Sequence, residues 1–165
     1  MIKKQLIFLF LFGCFSTFSQ EENKQLKTYN FSKIEKLHQQ NPKPIVVFIY
    51  TNWCKICYGM KQNTFRNDFI INTLNNNFYF VMLDAESNKD ITFLGKKFIY
   101  KPSENKSGTH QLAFELASIN GKISYPTTTI LNSKFEIDLQ IDSYINSEKM
   151  KEILEKYLDL KNQKN

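Results

Sequence analysis

Hydrophobic positions fall into short blocks whose spacing changes several times along the chain. Phe31, Ile34, Leu37 and His38 lie on one side at helical spacing, and Asn41-Pro42-Lys43-Pro44 stops that helix. Ile45-Val46-Val47-Phe48-Ile49-Tyr50 is an unbroken β-prone run, the pattern of a strand buried on both faces. Thr51-Asn52 turn the chain. Helical spacing resumes from Cys54 to about Phe65 and again from Asp68 to Asn75, where Phe69, Ile70 and Leu74 are apolar. Phe78 to Leu83 predicts the next strand.

Residues 84–125 are less regular. Ile91 to Tyr100 reads as a small hairpin around Leu94-Gly95, and Lys101 to Gly108 as an exposed loop. Gln111 to Ile119 predicts a helix with Leu112, Leu116 and Ile119 on one face, ended by Asn120-Gly121. Thr127 to Leu131 and Phe135 to Ile141 predict two strands joined at Asn132-Ser133-Lys134, the second alternating as an edge strand does. A last amphipathic helix opens at Ser147, taken as its cap, with Met150, Ile153, Leu154, Tyr157 and Leu158 as the buried stripe. Crossover helices between buried strands predict an α/β fold with a central mixed β-sheet covered on both faces.

The first twenty residues stand apart. Lys3 and Lys4, an apolar run from Leu6 to Phe15 and a polar end at Ser19-Gln20 follow the order of a secretory signal. The run is far shorter than the roughly twenty residues of a spanning helix. The chain therefore divides into a leader (1–20), a flexible lead-in (21–30), one domain (31–160) and a tail (161–165). Export places the domain in a periplasmic compartment. A lipid-attachment role for Cys14 is the weaker alternative, because Phe12 fits such a signal poorly. Removing the leader takes away two lysines from a chain of net charge +6. The remaining excess is spread along the sequence and gives no footing for nucleic acid. Hydrophobic residues make up 42% of the chain, enough for a core, while three cysteines are too few for a disulfide-stapled scaffold.

One motif carries chemistry: Trp53-Cys54-Lys55-Ile56-Cys57, directly after a buried strand and at the start of a helix. Unpaired N–H groups and the helix dipole at that place favour a negative sulfur on Cys54. Cys57, one turn on and deeper, can close a disulfide with Cys54 or resolve a mixed one. Lys55 adds a positive charge and Trp53 shields one side. A structural bridge needs no such placement. A metal site normally takes four ligands, and no second cysteine pair exists. His38 and His110 lie in unrelated segments and read as surface or helix-face residues. Redox chemistry is the favoured reading, and no dissociable cofactor or metal is called for.

Tyr125-Pro126-Thr127 stands just before a strand, where proline's missing N–H is tolerated. With the cysteine pair upstream, the chain resembles the thioredoxin superfamily. Tyr50 to Cys57, then Lys61, Thr64-Phe65 and Phe69, and Gly108 to Thr128, are similar to secreted bacterial thioredoxin-like proteins related to the C-terminal domain of the membrane thiol:disulfide interchange protein. The resemblance implies a thioredoxin-like fold with an inserted hairpin and helix before a cis-proline. It implies that the Tyr125–Pro126 bond is cis, that Tyr125 faces the disulfide, and that Trp53, Tyr125 and Pro126 bind substrate backbone. Two departures stand out. Phe48 occupies the position where many thioredoxins bury an aspartate, and Lys55-Ile56 replaces the usual Gly-Pro, so both residues enter as tuning positions.

The resulting expectation is a monomeric, secreted thiol–disulfide oxidoreductase. It would reduce disulfides in exported proteins, with a membrane redox partner recycling its cysteines. The oxidase or isomerase direction of the same chemistry, a non-enzymatic binding module docking through residues 84–125, and copper handling by the cysteine pair are the alternatives.

Overall fold

A computed structural model describes residues 25–104 and 107–163, so the expected leader with Cys14 lies outside the described residues. The main sheet has four strands: β1 (Ile45–Tyr50), β2 (Tyr79–Asp84), β9 (Thr127–Leu131) and β10 (Ile137–Ile141), in the order β10-β9-β1-β2. β1 pairs parallel with β2 and antiparallel with β9, while β9 pairs antiparallel with β10. The sheet is thus mixed, as the alternation of strands and helices predicts.

Strand alternation sorts the core into two layers. Ile45, Val47 and Ile49 point to one face, where helices α1 (Phe31–Gln40) and α4 (Gln111–Ala117) cover them. Val46 and Phe48 point to the other face, under α2 (Lys55–Asn63), α3 (Asp68–Asn77) and α5 (Ser147–Asn162). All five of these β1 side chains are fully buried. Each contributes on the order of 1.5–3 kcal/mol by leaving water, which is why this run takes an inner place in the sheet. Both cysteines belong to the second layer.

Several local expectations are corrected. Residues 25–30, expected as a flexible lead-in, are pinned to β2 and α3. Thr28 forms a parallel bridge to Phe80, the Tyr29 N–H donates to the Phe80 carbonyl at 2.9 Å, and Asn75 bonds both Lys27 and Gln25. α4 stops at Ala117, and Asn120-Gly121 forms a hairpin turn between β7 (Ser118–Ile119) and β8 (Lys122–Ile123). Both turn residues have positive φ, 52° and 76°, the geometry of a two-residue hairpin turn rather than a helix cap. The expected hairpin at Leu94-Gly95 forms between β3 (Ile91–Phe93) and β4 (Lys96–Phe98) with the same geometry.

The 101–108 loop is bracketed by a further pairing of β5 (Tyr100–Lys101) with β6 (Thr109–His110), and Gly108 is buried with its N–H on the Tyr100 hydroxyl at 2.8 Å. Phe135 adopts φ 64° in the turn that Asn132 closes, so β10 begins two residues later than its apolar run. Asn146, not Ser147, caps α5: its backbone is extended and its side chain accepts from the Lys149 N–H at 2.8 Å. That helix runs to Asn162, into the segment expected as tail.

His110 overturns the surface reading most clearly. It is fully buried and caps α4, with Nδ1 accepting from the Leu112 N–H at 3.2 Å and Nε2 3.1 Å from the Lys89 carbonyl. This pairing requires a neutral ring that donates from Nε2. Burial lowers its pKa, opposed by the Lys89 carbonyl and Asp90. His38 is also buried and shifted down by burial. Unfolding lets both rings take a proton near their ordinary value of about 6.5, so stability is full above that pH and declines as pH falls below it. Thermal melts should therefore show a falling midpoint from pH 7 to pH 5. His110→Asn should flatten that fall while lowering the midpoint at pH 7; an unchanged slope would count against the assignment.

Candidate active site

The C-terminal end of β1 delivers the chain into Thr51-Asn52-Trp53 and then into α2. Cys54 is the N-cap of that helix: its N–H donates to the Thr51 carbonyl at 3.3 Å, and its Sγ accepts from the Cys57 N–H at 3.1 Å. One of the backbone donors that any helix leaves unpaired at its start is thus satisfied by this sulfur. Cys54 and Cys57 form a disulfide with an S–S distance of 2.06 Å. Cys57 is fully buried, whereas Cys54 keeps 7% of its surface exposed. Of the two residues, only Cys54 keeps any surface at which an incoming group could arrive.

The surroundings come from three other segments. The Tyr125–Pro126 bond is cis. Tyr125 packs against both core layers, including the one that holds the cysteines, and meets the edge of Trp53 at 6.1 Å between ring centroids. Burial raises the pKa of Tyr125; a hydrogen bond from Thr109 opposes the shift, while Glu86 and Asp84 add to it. Trp53 is 63% exposed and donates its indole N–H to Glu86 Oε1 at 3.0 Å. Asn52 donates to Asp84 Oδ2 at 2.7 Å. Lys55 and Ile56 lie exposed on the first turn of α2.

On the far side of α2's first turns, Lys61 Nζ stands 3.7 Å from the Tyr50 ring centroid. Burial lowers its pKa, and Asp84 opposes that shift. Phe48 is stacked on Tyr50 at 5.7 Å and meets Phe65 edge-on at 4.9 Å. No group of three or more metal-ligating side chains occurs among the described residues.

Cys54, Cys57, Trp53, Tyr125 and Pro126 are thus gathered at one end of the sheet, and Lys55 and Ile56 border them. Sequence reasoning missed Glu86, Asp84 and Thr109. A signal existed for the first two. β1 and β2 are parallel neighbours, so the loops after them, Thr51-Asn52 and Ala85-Glu86, must meet at the same end.

A disulfide at a helix N-terminus, with one cysteine at the margin of the surface and its partner sealed, is the working part of a thiol–disulfide oxidoreductase, and this chain is such an enzyme. Residues 31–158 match the thioredoxin-like domain, and the chain belongs to that family. Solved structures agree on the fold. A thioredoxin from Thermus thermophilus shares 14% identity over 81% of this chain and 88% of its own, with a TM-score of 0.58. A DsbH oxidoreductase is 14% identical over 82% and 86%, at 0.56. The reduced C-terminal domain of Neisseria meningitidis DsbD is 16% identical over 76% and 90%, at 0.51. No curated protein matches the chain.

Proposed function

We propose that the protein reduces disulfides in exported proteins and is itself re-reduced by a membrane dithiol partner. The Cys54 thiolate attacks one sulfur of a substrate disulfide, and the other substrate sulfur leaves as a thiolate. Cys57 then attacks Cys54 Sγ, which releases the second substrate thiolate and restores the 54–57 disulfide. The substrate gains two electrons, the enzyme loses them, and the partner's dithiol replaces them. Exposed Trp53 and Ile56 beside Cys54 give an extended substrate an apolar flank.

One observation favours the reducing direction. The carboxylates of Asp84 and Glu86 bond the two residues that precede Cys54. Negative charge there disfavours a thiolate, hence the reduced state, and makes the couple a better electron donor. Lys55, exposed next to Cys54, carries the opposite charge and offsets part of this effect. Export rests on the order of residues 1–20, and the mature protein recovered from an exporting host should begin beyond them.

Cys57→Ser tests the chemistry: a mixed disulfide between Cys54 and a substrate protein should accumulate and dissolve with dithiothreitol. Its absence would refute the scheme. A reduction potential near −270 mV supports the reductase, and one near about −120 mV reverses the direction.

A further inference from the structure

One polar atom on the cysteine face of the sheet has no partner among the described residues: the hydroxyl of Thr128. Its neighbours are satisfied, with Thr127 Oγ1 donating to the Ser124 carbonyl at 2.7 Å and Thr129 Oγ1 to the Leu116 carbonyl at 2.5 Å. Thr128 is 2% exposed. Strand alternation puts it on the same face as Ile130, which lies in the cysteine layer. It stands opposite Phe48 on one side and Ile141 on the other, both packed in that layer. Neither offers a polar atom. The sulfurs of that layer are the closed Cys54–Cys57 disulfide and the thioethers of Met60, Met82 and Met150, all weak acceptors.

Reduction changes the layer's chemistry. An incoming dithiol breaks the S–S bond, is itself oxidised to a disulfide, and leaves two electrons and its two protons with the cysteines. Cys57, fully buried, then carries a separate sulfur that, as the thiolate, is a far better acceptor than a disulfide sulfur. We propose that Thr128 is a positioning residue for the exchange: its hydroxyl is unpaired while the pair is oxidised and donates to Cys57 Sγ once the pair is reduced. The bond stabilises the reduced state selectively and raises the reduction potential, partly offsetting the carboxylates near Cys54. This inference rests on exchange at Cys54–Cys57 and not on its direction.

The experiment is equilibration of the full domain with dithiothreitol redox buffers, comparing Thr128→Val and Thr128→Ser with the parent. Val keeps the shape and removes the hydroxyl, so the equilibrium constant for reduction should fall about tenfold, which is about 30 mV more negative. Ser restores the donor and should keep the parent value. The oxidised Val variant should melt no lower than the parent, because a buried unpaired hydroxyl has been removed. An unchanged potential in Val, or an equal shift in Ser, overturns the proposal, and so does a lowered melting point with an unchanged potential. Normal trapping by Cys57→Ser alongside an unchanged Val potential would strike only the role of Thr128; failed trapping would strike the exchange reading itself.

Discussion

Cys54→Ser should leave a folded protein whose disulfide-reducing rate equals that of the chemical reductant alone. The two halves of that expectation come from different physics. Cys54 is the N-cap of α2, and its side chain accepts the Cys57 N–H. Serine is among the best residues for that position, so the helix start survives. Closing so short a loop constrains the unfolded chain little, and losing the disulfide costs about 2 kcal/mol by loop entropy. The chemistry has no such substitute. A serine hydroxyl is not ionised at neutral pH and forms no disulfide, and the remaining sulfur, on Cys57, is sealed from solvent. Insulin reduction with dithiothreitol gives the rate, and circular dichroism gives the fold. Residual turnover well above the reductant's own rate would place the nucleophile elsewhere.

What could be read in the residues follows from how local each signal is. The run Ile45 to Tyr50 has only one stable setting, between two apolar layers, and the cysteine motif directly after it inherits its place from that strand. The four-strand sheet was legible for this reason. The two-residue strands of the insert carry no period, and their pairing depends on contacts such as the His110 N–H on the Ala85 carbonyl at 2.7 Å, across 25 residues of chain. His110 in sequence is a polar residue before a helix; its burial comes from a tertiary partner, Lys89. The caps show the same limit: Asn146 and Ser147 are near-equal candidates, and backbone geometry decides between them. Three consecutive threonines, Thr127 to Thr129, read alike, yet only the fold separates the two satisfied hydroxyls from the unpaired one.

Phe48→Ala should cost about 3–5 kcal/mol, the range for emptying a large aromatic site in a core. The position is instructive because related proteins place a carboxylate there, and a simple reading would treat the phenyl ring as a mere absence. Its contacts say otherwise. The ring is fully buried, stacks on Tyr50 at 5.7 Å, and meets Phe65 at 4.9 Å, which in turn lies 4.7 Å from Phe80. The same ring supports the wall against which Tyr50 holds Lys61. In a domain of this size each kcal/mol moves the melting point by about 3 °C, so a fall of about 9–15 °C is expected. Phe48→Asp should fare worse, and increasingly so as pH rises. Burial lifts the new carboxyl's pKa above its unfolded value, so the folded state tolerates it best when protonated, at low pH. Melts of both variants at pH 5 and pH 8 check the magnitude and the sign. An aspartate variant as stable as the parent at pH 8 would mean that the site already admits water and charge.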